Sequence, residues 1–401
     1  MSHPTLDSLP NVFIQTKILK YAMQRRIKKL CPLMLILAIL IGSGCQLNRQ
    51  QETTISSDFE SGSIGEISKI DAYHWEISLR NDNDDESLPP WWRTWWYIRI
   101  DNAPIDAAMK ITLKARGWPY YYIPVYSYDG QNWQRLLEAE VIQTADNQLI
   151  MTKRFEHRRI WMARFYPYTV SKFKSYMDRI STSPRVFSEI IGQSTLKNPI
   201  HMLTITDFSV PEHRKNRIWI HARTHPAETG SSFLLEGLID FLLSESADAH
   251  TALSKLVFNI VPMHNIDGII VGNYRTNTDS MNLEGIWLPD PNSSNPMDLR
   301  PDLPSEVLVL NRAIRSFIET DAPFTMALNL HSSNSEPDTA AFFYPHFGPR
   351  ELGYEANEAA LWEDQVSFIK DVASYYQNRI EEIPAEGGRY FASRYYPESW
   401  W

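Results

Sequence analysis

The run Arg217-Ile-Trp-Ile220 reads as a buried strand, and Ser231 to Leu243 reads as an amphipathic helix with Ser231 or Ser232 as its cap. Between them lies the loop His221-Ala-Arg-Thr-His-Pro-Ala-Glu-Thr-Gly. A strand feeding a helix through a short loop is the unit of an α/β sheet, and α/β proteins place their chemistry at such loops. His225 and Glu228, three residues apart in that loop, present an imidazole and a carboxylate that can point at one ion. Holding zinc with an open position for water takes a third ligand. His331 is the candidate, because it ends another apolar run, Phe324-Thr-Met-Ala-Leu-Asn-Leu.

Taken alone, a His-x-x-Glu spacing is common. The segments that follow it give it context: Asn265-Ile-Asp-Gly, Gly272-Asn-Tyr-Arg, Met281-Asn-Leu-Glu and then His331. In that order the chain resembles the metallocarboxypeptidases of the M14 type, and most closely their cytosolic carboxypeptidase-like branch. The similarity runs from about Phe59 to about Tyr344. The resemblance implies a zinc-dependent hydrolase that cleaves peptide bonds at a substrate's C-terminus. His225, Glu228 and His331 would hold zinc, which acidifies water, and Arg275 would stabilise the developing oxyanion.

The sequence departs from the family pattern in two places. Asn282 matches the Asn of an Asn-Arg pair that grips a terminal carboxylate, but Leu283 and Glu284 follow and the Arg is absent. An Arg is the natural bidentate partner of a carboxylate, so ordinary carboxypeptidase specificity is in doubt. The family's general-base Glu lies on a late strand beyond the last zinc ligand. Here the only nearby candidate toward the end of the chain is Glu398, in Tyr395-Tyr-Pro-Glu-Ser-Trp-Trp, where Pro397 argues against a buried strand. The expectation is a C-terminally truncated domain. Two alternative readings follow: an inactive or incomplete M14-like lipoprotein that binds peptide or envelope material, and a zinc amidohydrolase of the aspartoacylase type. The latter shares the ligand pattern, but a β-domain ahead of the catalytic domain speaks against it.

Strand and turn signals set the rest of the architecture. Short apolar or alternating runs at Trp75–Leu79, Trp95–Ile100, Ala108–Leu113, Tyr121–Val125 and Ile160–Phe165 are separated by turns such as Asn81-Asp-Asn-Asp-Asp. They predict a small antiparallel β-sandwich over residues 58–165. Phe59-Glu-Ser-Gly and Ile123-Pro-Val-Tyr resemble the β-domain that precedes catalysis in the cytosolic carboxypeptidase branch. The quartet Trp91, Trp92, Trp95 and Trp96 reads as core and inter-domain packing rather than a sugar-stacking surface.

From residue 166 to 401 the pattern becomes α/β. Helices are expected at Ser171–Ile180, Ser231–Leu243, Ser305–Thr320 (capped by its serine) and Glu358–Arg379. Strands are expected at His201–Ile205, Arg217–Ile220, Leu256–Val261, Phe324–Leu330 and Ala340–Tyr344. The fold class is therefore α/β: a mixed-sheet α/β/α zinc carboxypeptidase-like domain preceded by the sandwich.

The N-terminus reads as an address. Met23-Gln-Arg-Arg-Ile-Lys-Lys is basic, Leu33 to Ile41 is apolar, and Gly42-Ser-Gly-Cys45 follows. This reads as a bacterial secretion signal. The small residues ending in Cys45 resemble a lipoprotein cleavage box with Cys45 as the lipidation site, although Gly42 stands where Leu is usual; the alternative is an ordinary signal anchor or cleavage at a nearby small residue. Residues 1–45 are the extension and signal, and 46–57 a polar tether. The chain is expected on the periplasmic side of a bacterial cell envelope, anchored to the membrane by lipid. The only cysteines are Cys31 and Cys45, which excludes a disulfide framework or a thiolate zinc site in the body. A formal charge of -9 argues against nucleic acid as a partner.

Overall fold

The computed structural model describes residues 52–295, 297–320, 323–332, 343–376 and 397. All of these lie in one compact unit. The first strands are β1 (Thr54–Ser56), β2 (Ile67–Lys69), β3 (His74–Ser78), β4 (Tyr97–Asp101) and β5 (Met109–Lys114). They are followed by β6 (Val125–Ser127), β7 (Trp133–Arg135), β8 (Val141–Gln143), β9 (Leu149–Lys153) and β10 (Ile160–Ala163).

These ten strands form two five-stranded sheets, ordered β1-β4-β10-β6-β7 and β2-β3-β5-β9-β8. All their pairings are antiparallel except β3 with β5. The period-two alternation explains the sandwich. Trp75 and Ile77, Ile98 and Ile100, Ile111 and Leu113, Leu149 and Met151, and Ile160 and Met162 all enter one buried cluster between the sheets. Each such aliphatic side chain contributes about 1.5–3 kcal/mol by leaving water.

Trp95, just before β4, and Tyr97 at its start pack with Val125 and Ala163 against Ala227 and Tyr274 of the second domain. Three members of the tryptophan quartet therefore pack inward. Trp96 is fully buried with its indole N–H on the Tyr122 hydroxyl, Trp95 donates to the Ser61 carbonyl, and Trp92 lies at the domain junction. Trp91 differs. It is 48% exposed and lies beside Trp118.

The strand expected at Tyr121–Val125 is found only from Val125 onward. Pro124 removes a ladder donor there, and residues 121–124 run outside the sheet. In the other direction, β1 begins inside the stretch read as a tether, because Thr54, Ile55 and Ser56 pair with Asp101, Ile100 and Arg99.

The second domain adds α1 (Val170–Ile180), β11 (Val186–Gln193), β12 (Pro199–Ile205), β13 (Asn216–Ala222), α2 (Gly230–Leu243) and α3 (Ala247–Lys255). Then come β14 (Leu256–Val261), α4 (Ile266–Val271), α5 (Ser305–Ile318), β15 (Phe324–Leu330) and α6 (Ala356–Tyr375). Its mixed sheet has the order β11-β12-β14-β13-β15, with β13 parallel to both β14 and β15. Ile218, Ile220 and Ala222 face α1, α2 and α3 through Tyr176, Leu235, Ile239 and Leu253. Trp219 points the other way, into a cluster with Val307, Leu310 and Ile314 of α5. Helices on both faces leave the strand ends as the place for a site.

Helix α1, expected from Ser171, begins at Val170, with the Thr169 hydroxyl accepting from the Lys172 N–H. The serines expected to cap α2 and α5 are instead inside the helices. Thr229 and Pro304 occupy the cap positions, and neither makes a side-chain capping bond. The strand expected at Ala340–Tyr344 and the end of the helix expected to reach Arg379 fall partly outside the described residues. Cys45 and Glu398 lie wholly outside them.

Candidate metal centre

In the parallel pair β13–β15, Ala222 stands opposite Leu330. His225 comes three residues beyond that register point and His331 one residue beyond it, so both emerge at the same carboxyl edge of the sheet. Their rings lie 4.9 Å apart between centroids, tilted by 46°. Glu228 closes the loop between β13 and α2, and its two carboxylate oxygens divide between the two rings. Oε1 is 2.9 Å from Nδ1 of His225, and Oε2 is 2.7 Å from Nδ1 of His331. The Ser332 N–H also donates to Oε2, at 3.1 Å.

The far sides of both rings are occupied too. Nε2 of His225 lies 3.1 Å from Oδ1 of Asn282. That oxygen also accepts the Glu284 N–H at 3.1 Å, which fixes which end of the amide faces the ring. Nε2 of His331 lies 2.7 Å from Oε1 of Glu284, whose carboxylate also takes a hydrogen bond from the Asn329 amide at 2.8 Å. All four ring nitrogens therefore face acceptors. A neutral imidazole carries one N–H and can satisfy only one of its two. A cation between the Nδ1 atoms and Glu228 would relieve that excess of acceptors.

Burial disfavours charge on Glu228, but His225 and His331 outweigh it and hold its pKa well below the usual range. Burial works against the charged form of His331 as well, and Glu284 and Glu228 override it, holding that pKa well above the usual value. Glu284 is likewise lowered, despite its burial, by His331 and His225. His225, Glu284 and His331 also bring ligand atoms within 4.8 Å of one another. The Glu228 side is the better cation site, because a metal-ligating histidine donates its other N–H to an acceptor, and Asn282 and Glu284 supply acceptors at the Nε2 atoms.

The loop is braced from inside by Arg223, which has a left-handed backbone (φ 60°) and a buried guanidinium. It donates to the Pro226 carbonyl from Nε at 3.0 Å, to the Tyr168 carbonyl at 3.0 Å and to the Ser232 hydroxyl at 2.9 Å. Burial pushes its pKa down to about 9. A non-glycine residue in this conformation costs on the order of 1 kcal/mol or more, and the three bonds offset it.

Arg275 sits beside this loop rather than in it. The Tyr274 carbonyl accepts the Ala227 N–H at 3.1 Å, which joins the Gly272-Asn-Tyr-Arg turn to the stretch between His225 and Glu228. The Arg275 guanidinium lies over the Trp92 ring, 5.5 Å from its centroid, and its Nε is buried with no hydrogen-bond partner among the described residues. Asn282, assigned from sequence to the substrate carboxylate, is placed by the structure against the His225 ring. Leu283 is fully buried. Sequence reasoning gave no role to Glu284, Arg223 or Asp82. Glu284 was visible only as the wrong residue near an expected Arg.

Residues 173–386 match the zinc carboxypeptidase family model, and residues 55–165 match the cytosolic carboxypeptidase N-terminal domain. The chain belongs to the zinc carboxypeptidase family. Among curated relatives, it is 31% identical over 247 residues to cytosolic carboxypeptidase 2 of Mus musculus, covering 55% of this chain and 28% of that protein. It is 30% identical over 259 residues to cytosolic carboxypeptidase 6 of the same species, covering 59% and 46%. The chain thus spans less than half the length of these relatives. Two solved bacterial structures share its fold. The metallo-carboxypeptidase of Burkholderia cenocepacia has a TM-score of 0.66 at 22% identity, covering 82% of this chain and 81% of that one. The metallo-carboxypeptidase of Pseudomonas aeruginosa, solved with (2-guanidinoethylmercapto)succinic acid, has a TM-score of 0.67 at 22% identity, covering 86% and 85%.

Proposed function

We propose that this zinc carboxypeptidase family member is a zinc-dependent peptidase with its metal held by His225, Glu228 and His331. The observation that carries the reading is the set of four imidazole nitrogens that all face acceptors, with Nδ1 of both rings directed at one carboxylate. Zinc in that position would act as a Lewis acid and lower the pKa of water. The protein's own contributions are separate. Asn282 and Glu284 hold the two rings with Nδ1 turned inward. The Glu228 carboxylate is fixed by the Ser332 N–H. Arg275, whose Nε has no hydrogen-bond partner among the described residues, stands beside the loop for the charge that develops on a substrate carbonyl oxygen. Glu398 is retained as the candidate general base, from sequence.

One observation favours a second reading. Leu283 is fully buried and Glu284 is turned to His331, so the segment after Asn282 presents no cation to a terminal carboxylate. That suits a peptide-binding relative without turnover, or an amidase of different specificity. We further propose a lipid anchor at Cys45 and a place on the periplasmic side of a bacterial envelope, supported by the basic, apolar and small-residue succession from Met23 to Cys45. Among the described residues no helix is long and apolar enough to cross a membrane.

The test is to incubate the purified protein with a peptide library and read C-terminal losses by mass spectrometry. Release that stops on chelation and returns with zinc supports the peptidase. A zinc-loaded protein that binds peptides and releases nothing supports the second reading.

A further inference from the structure

Several side chains of the β-sandwich reach into the second domain, and Asp82 makes four hydrogen bonds there. Asp82 lies in the turn Asn81-Asp-Asn-Asp-Asp, is buried, and directs both carboxylate oxygens into the other domain. Oδ1 accepts the Tyr274 N–H at 2.6 Å. Oδ2 accepts the Arg275 N–H at 2.8 Å, the Thr276 N–H at 2.7 Å and the Thr276 hydroxyl at 3.1 Å. Three consecutive backbone donors on one carboxylate fix the peptide planes on both sides of Arg275. Its neighbour Asn83, in the left-handed region (φ 56°), adds a reciprocal pair with Asn273: its N–H donates to Oδ1 at 3.2 Å, and Asn273 donates back to its side-chain oxygen at 2.9 Å. The Arg275 side chain rests over Trp92, also from the sandwich.

We infer that Asp82 is a positioning residue for Arg275: the sandwich, through Asp82 and Trp92, sets where the guanidinium points, so the N-terminal domain is a working part of the site rather than an appendage. The inference rests on the peptidase reading for its kinetic consequence, but its structural content stands apart from it. The same turn reaches the metal loop, since the Tyr274 carbonyl receives the Ala227 N–H. Asp82 therefore controls a segment bonded on one side to the sandwich and on the other to the residues between His225 and Glu228.

The experiment compares wild type, Asp82→Asn, Arg275→Ala and the double variant. Each is measured for zinc content, melting temperature, kcat and KM on a cleaved peptide, and amide exchange of residues 273–277. In Asp82→Asn an amide replaces one acceptor with a donor facing N–H groups. Exchange at 274–276 is expected to speed up at least about tenfold while zinc content holds. A misplaced catalytic group should lower kcat by about ten- to a hundredfold, with no further loss when Asp82→Asn is added to Arg275→Ala. Unchanged kcat per zinc-loaded molecule with only a lowered melting temperature would overturn the inference. A wild type that cleaves nothing would sink the peptidase reading instead, and the exchange result then decides alone: unaltered protection at 274–276 would refute the positioning role. If Asp82→Asn does not fold, Trp92→Leu removes the ring beneath the guanidinium, and the same loss of kcat, abolished in the Arg275→Ala background, is expected. Additive losses would overturn it.

Discussion

Replacing Glu284 separates the two ways of placing a metal among these side chains. Its Oε1 accepts Nε2–H of His331 at 2.7 Å, and its Oε2 lies 3.8 Å from Nε2 of His225. With zinc on the Glu228 side, Glu284 orients the rings from behind and does not bind the ion. Glu284→Gln keeps an acceptor for His331 and removes the charge. A charge-assisted hydrogen bond contributes about 1.5–3 kcal/mol and a neutral one about 0.5–1.5, so the change should cost roughly 1 kcal/mol, or about five- to tenfold in zinc affinity. Glu284→Ala removes the bond as well and should weaken zinc by about ten- to a hundredfold, the range for residues that support a ligand. Glu228→Ala, losing the carboxylate that meets both Nδ1 atoms, should cost far more. The assay is competition against a fluorescent zinc chelator near neutral pH, with folding checked by circular dichroism. If Glu284→Ala loses as much affinity as Glu228→Ala, the ion sits on the Nε2 side and the ligand set is wrong. If it binds zinc within about twofold of wild type, the supporting role is wrong.

Three other outcomes follow from the same structure. Arg275→Ala should reduce kcat by about a hundredfold or more with zinc content unchanged; a loss below about threefold would remove Arg275 from the chemistry. Gly272, with φ of +76°, closes α4 so near the sandwich that an added Cβ would lie 2.3 Å from the Gly62 carbonyl oxygen. Gly272→Ala should cost roughly 2 kcal/mol or more, read as a lower denaturant midpoint, and an unchanged midpoint would contradict the close approach. His264 is buried, so its pKa falls from an ordinary 6.5 to about 4. Its folded value lies below its unfolded one, so its contribution is complete above about pH 6.5 and is lost as pH falls toward about 4, by up to about 3 kcal/mol. Denaturant titrations of metal-free wild type and His264→Gln should show a shallower acid loss in the variant; equal slopes would reject the assignment.

Much of this architecture was legible because burial writes a period into strands. Trp219 alternates with Ile218 and Ile220 along β13, and the two faces of the sheet follow from that alternation. The pairing of His225 with His331 was legible as well, since His225 lies in the loop after one apolar run, His331 ends another, and parallel neighbours finish at one edge. Edge elements were not. The strand β11 is largely exposed, so its Val186, Phe187, Ile190 and Ile191 show no alternation between a buried and a solvated face. The Thr144-to-Gln148 turn joining β8 to β9 carried a signal in Ala145-Asp-Asn that pattern reading passed over. The residues that support the site were hidden for a different reason. Asp82 looks like one acid in an acidic turn, and Glu284 like a misplaced arginine, because their partners lie far away in sequence. Only the folded chain brings Asp82 to the Arg275 backbone and Glu284 to His331.

The metal content of the purified protein, measured after extensive dialysis in wild type and in His225→Ala, tests the proposed ligand set most directly. The expected result is one zinc per wild-type chain and less than about a tenth of that in the variant. A wild type without zinc, or a His225→Ala protein that keeps it in full, would contradict the assignment of His225, Glu228 and His331.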